Sequence, residues 1–115
     1  METPLLDQLI QQRRDRNERS RQQVLTRTIE WLEHHGAAYG ITEAFLFGSI
    51  ICPNHFHQRS DVDIAINAIA PEHFFLSISL LSTWLEREVD LVELERCPFQ
   101  HRIRDLGIRW TAQKD

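Results

Sequence analysis

Three short apolar runs limit what this chain can fold into: Glu43-Ala-Phe-Leu-Phe47, Asp61-Val-Asp-Ile-Ala-Ile66 and Val89-Asp-Leu-Val-Glu-Leu94. Each has the length and composition of a strand. Around them the apolar spacing changes to that of helices. No proline or glycine interrupts the chain from Leu5 to about His35, and strong helix formers dominate. Thr3 with Pro4 reads as a start for this helix and His34-His35-Gly36 as its stop. Pro71 opens a second helix with Phe74, Phe75, Ile78, Leu81 and Leu85 on one side, closed by Glu86-Arg87-Glu88. Phe99 to Leu106 reads as a short helix ended by Gly107, and Ile108-Arg-Trp-Thr as a last strand. Residues 50–60, IICPNHFHQRS, read as a helical turn plus a loop. Strands and helices alternate, which predicts an α/β or α+β sheet packed by helices on one or both faces.

The long first helix has two apolar patches. Leu5, Leu6, Leu9 and Ile10 form one, Val24, Leu25, Ile29, Trp31 and Leu32 the other, and residues 11–23 hold no large apolar side chain between them. The division expected is a helical arm over 1–23 and a domain over 24–115, with the first patch serving a partner or self-association.

A chain of 115 residues is one domain by size. The N-terminus, acidic and proline-containing, does not read as a signal peptide, and no run approaches the roughly 20 apolar residues of a membrane span. Cys52 and Cys97 have neither metal-site nor disulfide-scaffold spacing, so a reduced, cytoplasmic protein is expected. The net charge of −4 is unevenly spread: residues 1–27 carry six arginines against four acids, and the remainder seven basic against thirteen acidic residues. That distribution disfavours nucleic-acid binding through the main domain. QQRRDRNERSR reads as a solvated helical face.

Chemistry concentrates between residues 48 and 90. Side chains two apart on a strand share a face, so Asp61 and Asp63 are neighbours while Val62 and Ile64 face the core. Adjacent carboxylates repel, and a hard cation such as Mg²⁺, which takes one or two carboxylates plus phosphates and water, relieves the repulsion. Asp90 joins them if its strand pairs with theirs, completing a three-carboxylate site. Gly48-Ser49 adds a turn where backbone can approach phosphate, with a hydroxyl donor. Asp-x-Asp or Gly-Ser alone is a weak signal; in this order, with Asp90 downstream, they form the equipment of phosphoryl or nucleotidyl transfer.

Gly48-Ser49, the spacer, Asp61-x-Asp63 and Asp90 resemble the signature of DNA polymerase β-like nucleotidyltransferases. The pattern FLFGS…RSDVDIAI…REVDLVEL is similar, more closely, to the minimal nucleotidyltransferase (MNT) antitoxins. The resemblance covers about residues 24–112 and implies a small mixed β-sheet with helices, using Mg²⁺ and ATP. It implies a role in a type VII toxin–antitoxin system, with a HEPN-domain RNase toxin as partner and AMP transferred to a toxin tyrosine. By position, Gly48 and Ser49 would hold triphosphate, Asp61 and Asp63 would bind Mg²⁺, and Asp90, completing the metal site, would activate the attacking hydroxyl. Many relatives follow Gly-Ser with an Ala-Arg-Gly-like triplet, where this chain has Ile50-Ile51-Cys52-Pro53; Arg59 is then the candidate replacement for the missing positive charge.

Other features read more plainly. His55-x-His57 and His34-His35 lack the further ligands zinc requires and read as loop and helix-end residues. Trp31, Trp84 and Trp110 read as core, Tyr39 as a loop residue, and Glu93 and Glu95 as the solvent side of the third strand. A non-catalytic antitoxin that masks its toxin is the alternative. Small-molecule adenylylation is weaker, because 115 residues leave no room for a substrate domain.

Overall fold

A computed structural model describes residues 4–112. The chain runs through helix α1 (Pro4–His35), a 3₁₀ turn (Gly36–Tyr39), strand β1 (Glu43–Phe47), a second 3₁₀ turn (Gly48–Ile51) and β2 (Val62–Ile66). It continues with α2 (Pro71–Leu85), β3 (Val89–Glu93), a third 3₁₀ turn (Leu94–Arg96), α3 (Gln100–Leu106) and β4 (Ile108–Thr111). The expected elements are present within a residue or two at each end. Thr3, read as part of the helix start, lies outside the described residues.

The strands form one mixed sheet in the order β3-β2-β1-β4. β2 and β3 are parallel, joined through α2, and the other pairs are antiparallel. Alternation gives the sheet two unequal faces. Ala44, Leu46, Val62, Ile64, Ile66, Leu91 and Trp110 point to one side, where Val24, Trp31 and Leu32 of α1 and Leu81 and Leu85 of α2 cover them. The other face carries Phe45, Ala65 and Ile103 of α3, with Leu94 and Cys97 closing a smaller cluster. A seven-residue α3 cannot roof four strands. Phe47 and Val92 are left at its margin, only partly buried, and Asp63 and Asp90 lie on this half-covered face.

At about 1.5 Å per residue, the 32 residues of α1 span about 48 Å, most of the molecule's 56 Å long axis. The helix is unbroken through residues 11–23, and Leu5, Leu6, Leu9 and Ile10 stand exposed on its first turns. Its core-facing stripe starts at Arg21 and continues through Val24, Thr28, Trp31 and Leu32. Trp84 departs from expectation. It is 40% exposed rather than core, because its indole N–H donates to the Arg27 carbonyl and the Arg27 guanidinium lies 4.5 Å over its ring. Tyr39 is better placed than a loop reading implies, stacked on Trp31 with centroids 5.9 Å apart. No helix among the described residues is long and apolar enough to cross a membrane.

α2 stops where Glu86 turns left-handed (φ 53°), and the next residue becomes the clamp of the long loop. Arg87 donates to the carbonyls of His57, Gln58 and Ser60 and to the Ser20 hydroxyl of α1, with its guanidinium 4.4 Å above Phe56. One planar fork thus ties residues 56–60 to both helices. Arg87→Ala strands three carbonyls and is expected to cost about 2–3 kcal/mol in denaturant unfolding. Arg87→Lys recovers only part of that loss, since an ammonium cannot span the same acceptors. Hydrogen exchange of residues 57–60 is expected to accelerate in both variants.

Candidate active site

β1 and β2 run antiparallel with Phe47 opposite Asp63, so the turn after β1 lies against the start of β2. Gly48, first in that turn, has φ 77°, a conformation that disfavours any residue with a side chain. It is also short of space: a Cβ added there would overlap the Asp63 Oδ2 atom. The Asp63 carboxylate therefore packs on bare backbone. Ser49 follows, half-buried, its hydroxyl without a hydrogen-bond partner among the described residues. Arg21 secures the turn from below, donating from Nη1 to the Ile50 carbonyl at 3.0 Å while Glu18 holds its other nitrogens at 2.9 and 2.8 Å. Those bonds and one from Gln22 hold the Glu18 carboxyl down at about 2.

The parallel register of β2 and β3 sets Asp63 directly beside Asp90. Burial pushes the Asp63 carboxyl up to about 6, with the charges of Asp90 and Asp61 and a hydrogen bond to Asp90 adding to the shift. Asp61 is exposed, one residue before β2, and Asp90 is exposed on the sheet edge. No three His, Cys, Asp or Glu side chains converge as a ligand cluster among the described residues. What stands here is a two-carboxylate pair with a third acid at its rim. That donor set fits Mg²⁺, which completes its shell with water and phosphate oxygens, and a half-buried carboxylate facing two like charges is the group such a cation would relieve. Asp63 and Asp90 would hold it, with Asp61 at the rim.

Arg59 is placed elsewhere. Its guanidinium bonds none of Gly48, Ser49 or the aspartates, and it lines a cleft with Arg13 and Arg16 of α1. His57 is a loop residue whose ring Nδ1 accepts the Arg59 backbone N–H at 3.1 Å. Cys97, buried under this face, has its thiol pushed up by burial and by the Asp90 charge, so it stays protonated and unreactive.

Two features escaped sequence reasoning. Arg21 sits in register with Val24, Thr28 and Trp31, and that spacing was the only signal that an arginine points inward. The other is an apolar cleft of about 280 Å³ beside Gly48, walled by Phe47, Ile51, Phe99, Ile103 and Leu106 with Arg102 at its edge. It depends on α3 docking, and no local pattern foretells it.

Comparison with protein families matches the chain, over residues 28–110, to the family described as Polymerase beta, Nucleotidyltransferase. The chain belongs to this family. The match spans β1 to β3 and most of β4, and so covers Gly48, Ser49, Asp61, Asp63 and Asp90. Comparison with curated proteins and with solved structures returned no match.

The acid pair is expected to make stability depend on pH and on Mg²⁺. Asp63 ionises near 3.8 in the unfolded chain and about 6 in the folded domain, so the folded state keeps its proton longer between those values. Stability attributable to Asp63 is therefore present below about pH 4 and lost as pH rises through 6. In chelator at pH 8, Asp63→Asn is expected to melt above the natural protein, the two converging near pH 4. Excess Mg²⁺ is expected to raise the melting temperature of the natural protein at pH 8 and leave Asp63→Asn nearly unmoved. Differential scanning calorimetry reads both.

Proposed function

We propose that this nucleotidyltransferase transfers AMP from ATP to a tyrosine hydroxyl of a HEPN-domain RNase toxin and acts as its antitoxin. The observation carrying the transfer chemistry is the Asp63–Asp90 pair in parallel register beside the Gly48 turn. The antitoxin role rests on the likeness of FLFGS…RSDVDIAI…REVDLVEL to the MNT antitoxins.

The chain's own residues divide the task. Gly48 and Ser49 present bare backbone and a free hydroxyl to the triphosphate. The apolar cleft walled by Phe47 and Phe99 is next to Gly48 and suits the flat base of the same nucleotide. Asp63 and Asp90, with Asp61, would hold Mg²⁺, which when bound would neutralise phosphate charge. Asp90, the more exposed of the pair, takes the proton of the incoming hydroxyl. The hydroxyl oxygen bonds to the α-phosphorus, the bond from that phosphorus to the bridging oxygen breaks, and pyrophosphate leaves. Positioning in line accounts for most of the rate.

A second reading is favoured by one observation: residues 50–53 lack the arginine of the relatives. In that reading the chain neutralises its toxin by masking it.

Incubation of the purified protein with α-labelled ATP, Mg²⁺ and the toxin encoded beside it is expected to label the toxin. Asp61→Asn with Asp63→Asn is expected to lower the label by at least about a hundredfold, as loss of metal and phosphate contacts does. Absent label, or label indifferent to the double substitution, ends the catalytic reading. Growth rescue by the double variant establishes masking instead.

A further inference from the structure

Arg13, Arg14, Arg16 and Arg19 of α1 are exposed, as expected of a solvated helical face, and two of them border a cleft. Between α1 and residues 57–59 lies a cleft of about 320 Å³ lined by Arg13, Arg16, Asn17, His57, Gln58 and Arg59. No carboxylate lines it, in a chain with 17 acids and a net charge of −4. Of the acids nearest in sequence, Asp15 accepts the Gln11 amide and Glu18 is held by Arg21 and Gln22, while Asp61, two residues from Arg59, is exposed and does not line the cleft. The guanidiniums of Arg13, Arg16 and Arg59 form no ion pair among the described residues.

The loop wall is arranged to donate. Its carbonyls at 57, 58 and 60 all accept from Arg87, which is not a lining residue, so these acceptors are already occupied. The His57 Nδ1 accepts the Arg59 N–H, which leaves the ring proton on Nε2 as a donor. The lining then offers three guanidinium forks, two side-chain amides and an imidazole N–H. Guanidinium forks match phosphate oxygens in pairs, and clustered unpaired cations call for an anion of several charges. No Phe, Tyr or Trp lines the cleft, so it lacks the stacking platform a single nucleic-acid strand uses.

We infer that the α1 cleft is a second anion site, distinct from the Asp63–Asp90 pair, that takes an oligophosphate: free pyrophosphate or tripolyphosphate, or the phosphate tail of a nucleotide. This inference stands apart from the proposed transfer reaction. The site would retain such anions beside the loop that joins Ser49 to Asp61.

Isothermal titration of the full chain with tripolyphosphate, in chelator, tests it without metal. Saturable one-to-one binding is expected, weakened at least about tenfold by Arg16→Gln with Arg59→Gln, and less by Arg13→Gln alone. Asp61→Asn with Asp63→Asn is expected not to weaken it, which separates this site from the acid pair. ATP and tripolyphosphate are expected to bind alike, since the lining has nothing to read a base. No saturable binding, or binding untouched by either arginine variant, overturns the inference. So does ATP binding where tripolyphosphate fails, or a single-stranded RNA that binds tightly and is not displaced by tripolyphosphate.

Discussion

The contact between the Asp63 carboxylate and the backbone of Gly48 is the constraint around which this domain is arranged. It exists because antiparallel β1 ends where β2 begins, with Phe47 opposite Asp63. A side chain at 48 would push the carboxylate away and would be strained by the positive φ as well. With glycine there, the turn folds tightly over the acid, and the parallel pairing of β2 with β3 adds Asp90 on the other side. A short α3 leaves this end of the sheet open, so the acids are neither sealed in the core nor fully hydrated.

Two carboxylates show how differently the chain treats its charges. Glu18 is partnered by Arg21 and Gln22, and its carboxyl falls to about 2. Asp63 is given burial and two like charges, and its carboxyl rises to about 6. The first arrangement stabilises the ionised form and fixes geometry. The second stores unfavourable energy that only a proton or a cation relieves, and folds tolerate such strain chiefly at sites that bind something. The asymmetry sets Glu18, partnered and fixed, apart from Asp63, which burial and two like charges leave open to a proton or a cation.

Most of the architecture was legible because it is local. Apolar runs of five or six residues announce the strands, Pro71 announces α2, and the uninterrupted stretch before Gly36 announces α1. Asp61 and Asp63 were legible because period two places them together, and Asp90 because one plausible strand pairing did the rest. The arginines were not legible. Arg21 and Arg27 reach acceptors 29 and 57 residues away in sequence, and Arg87 reaches carbonyls 27 to 30 and a hydroxyl 67 residues away, so their roles exist only after the sheet and helices have docked. Trp84 was misread for the same reason. An aromatic on an apolar helix side looks like core until an arginine from another helix covers it at the surface.

The segment from Ile50 to Arg59 is where the chain departs from the expected motif, and the structure changes what that departure means. A loop that had lost a phosphate-binding charge could simply be loose. Here Ile50 is completely buried in the main core, and its carbonyl is held by Arg21. Phe56 is buried to 2% beneath the Arg87 guanidinium, which also gathers three carbonyls of the same loop. Apolar anchors and two arginine clamps thus tie both ends of the segment to α1 and to the turn that follows α2. Beyond the clamps, Arg59 lines a cleft together with Arg13 and Arg16 of α1. The anchoring of the loop and the positive charge along α1 fall to different residues: Arg21 and Arg87 bond loop carbonyls, while Arg13 and Arg16 border the cleft.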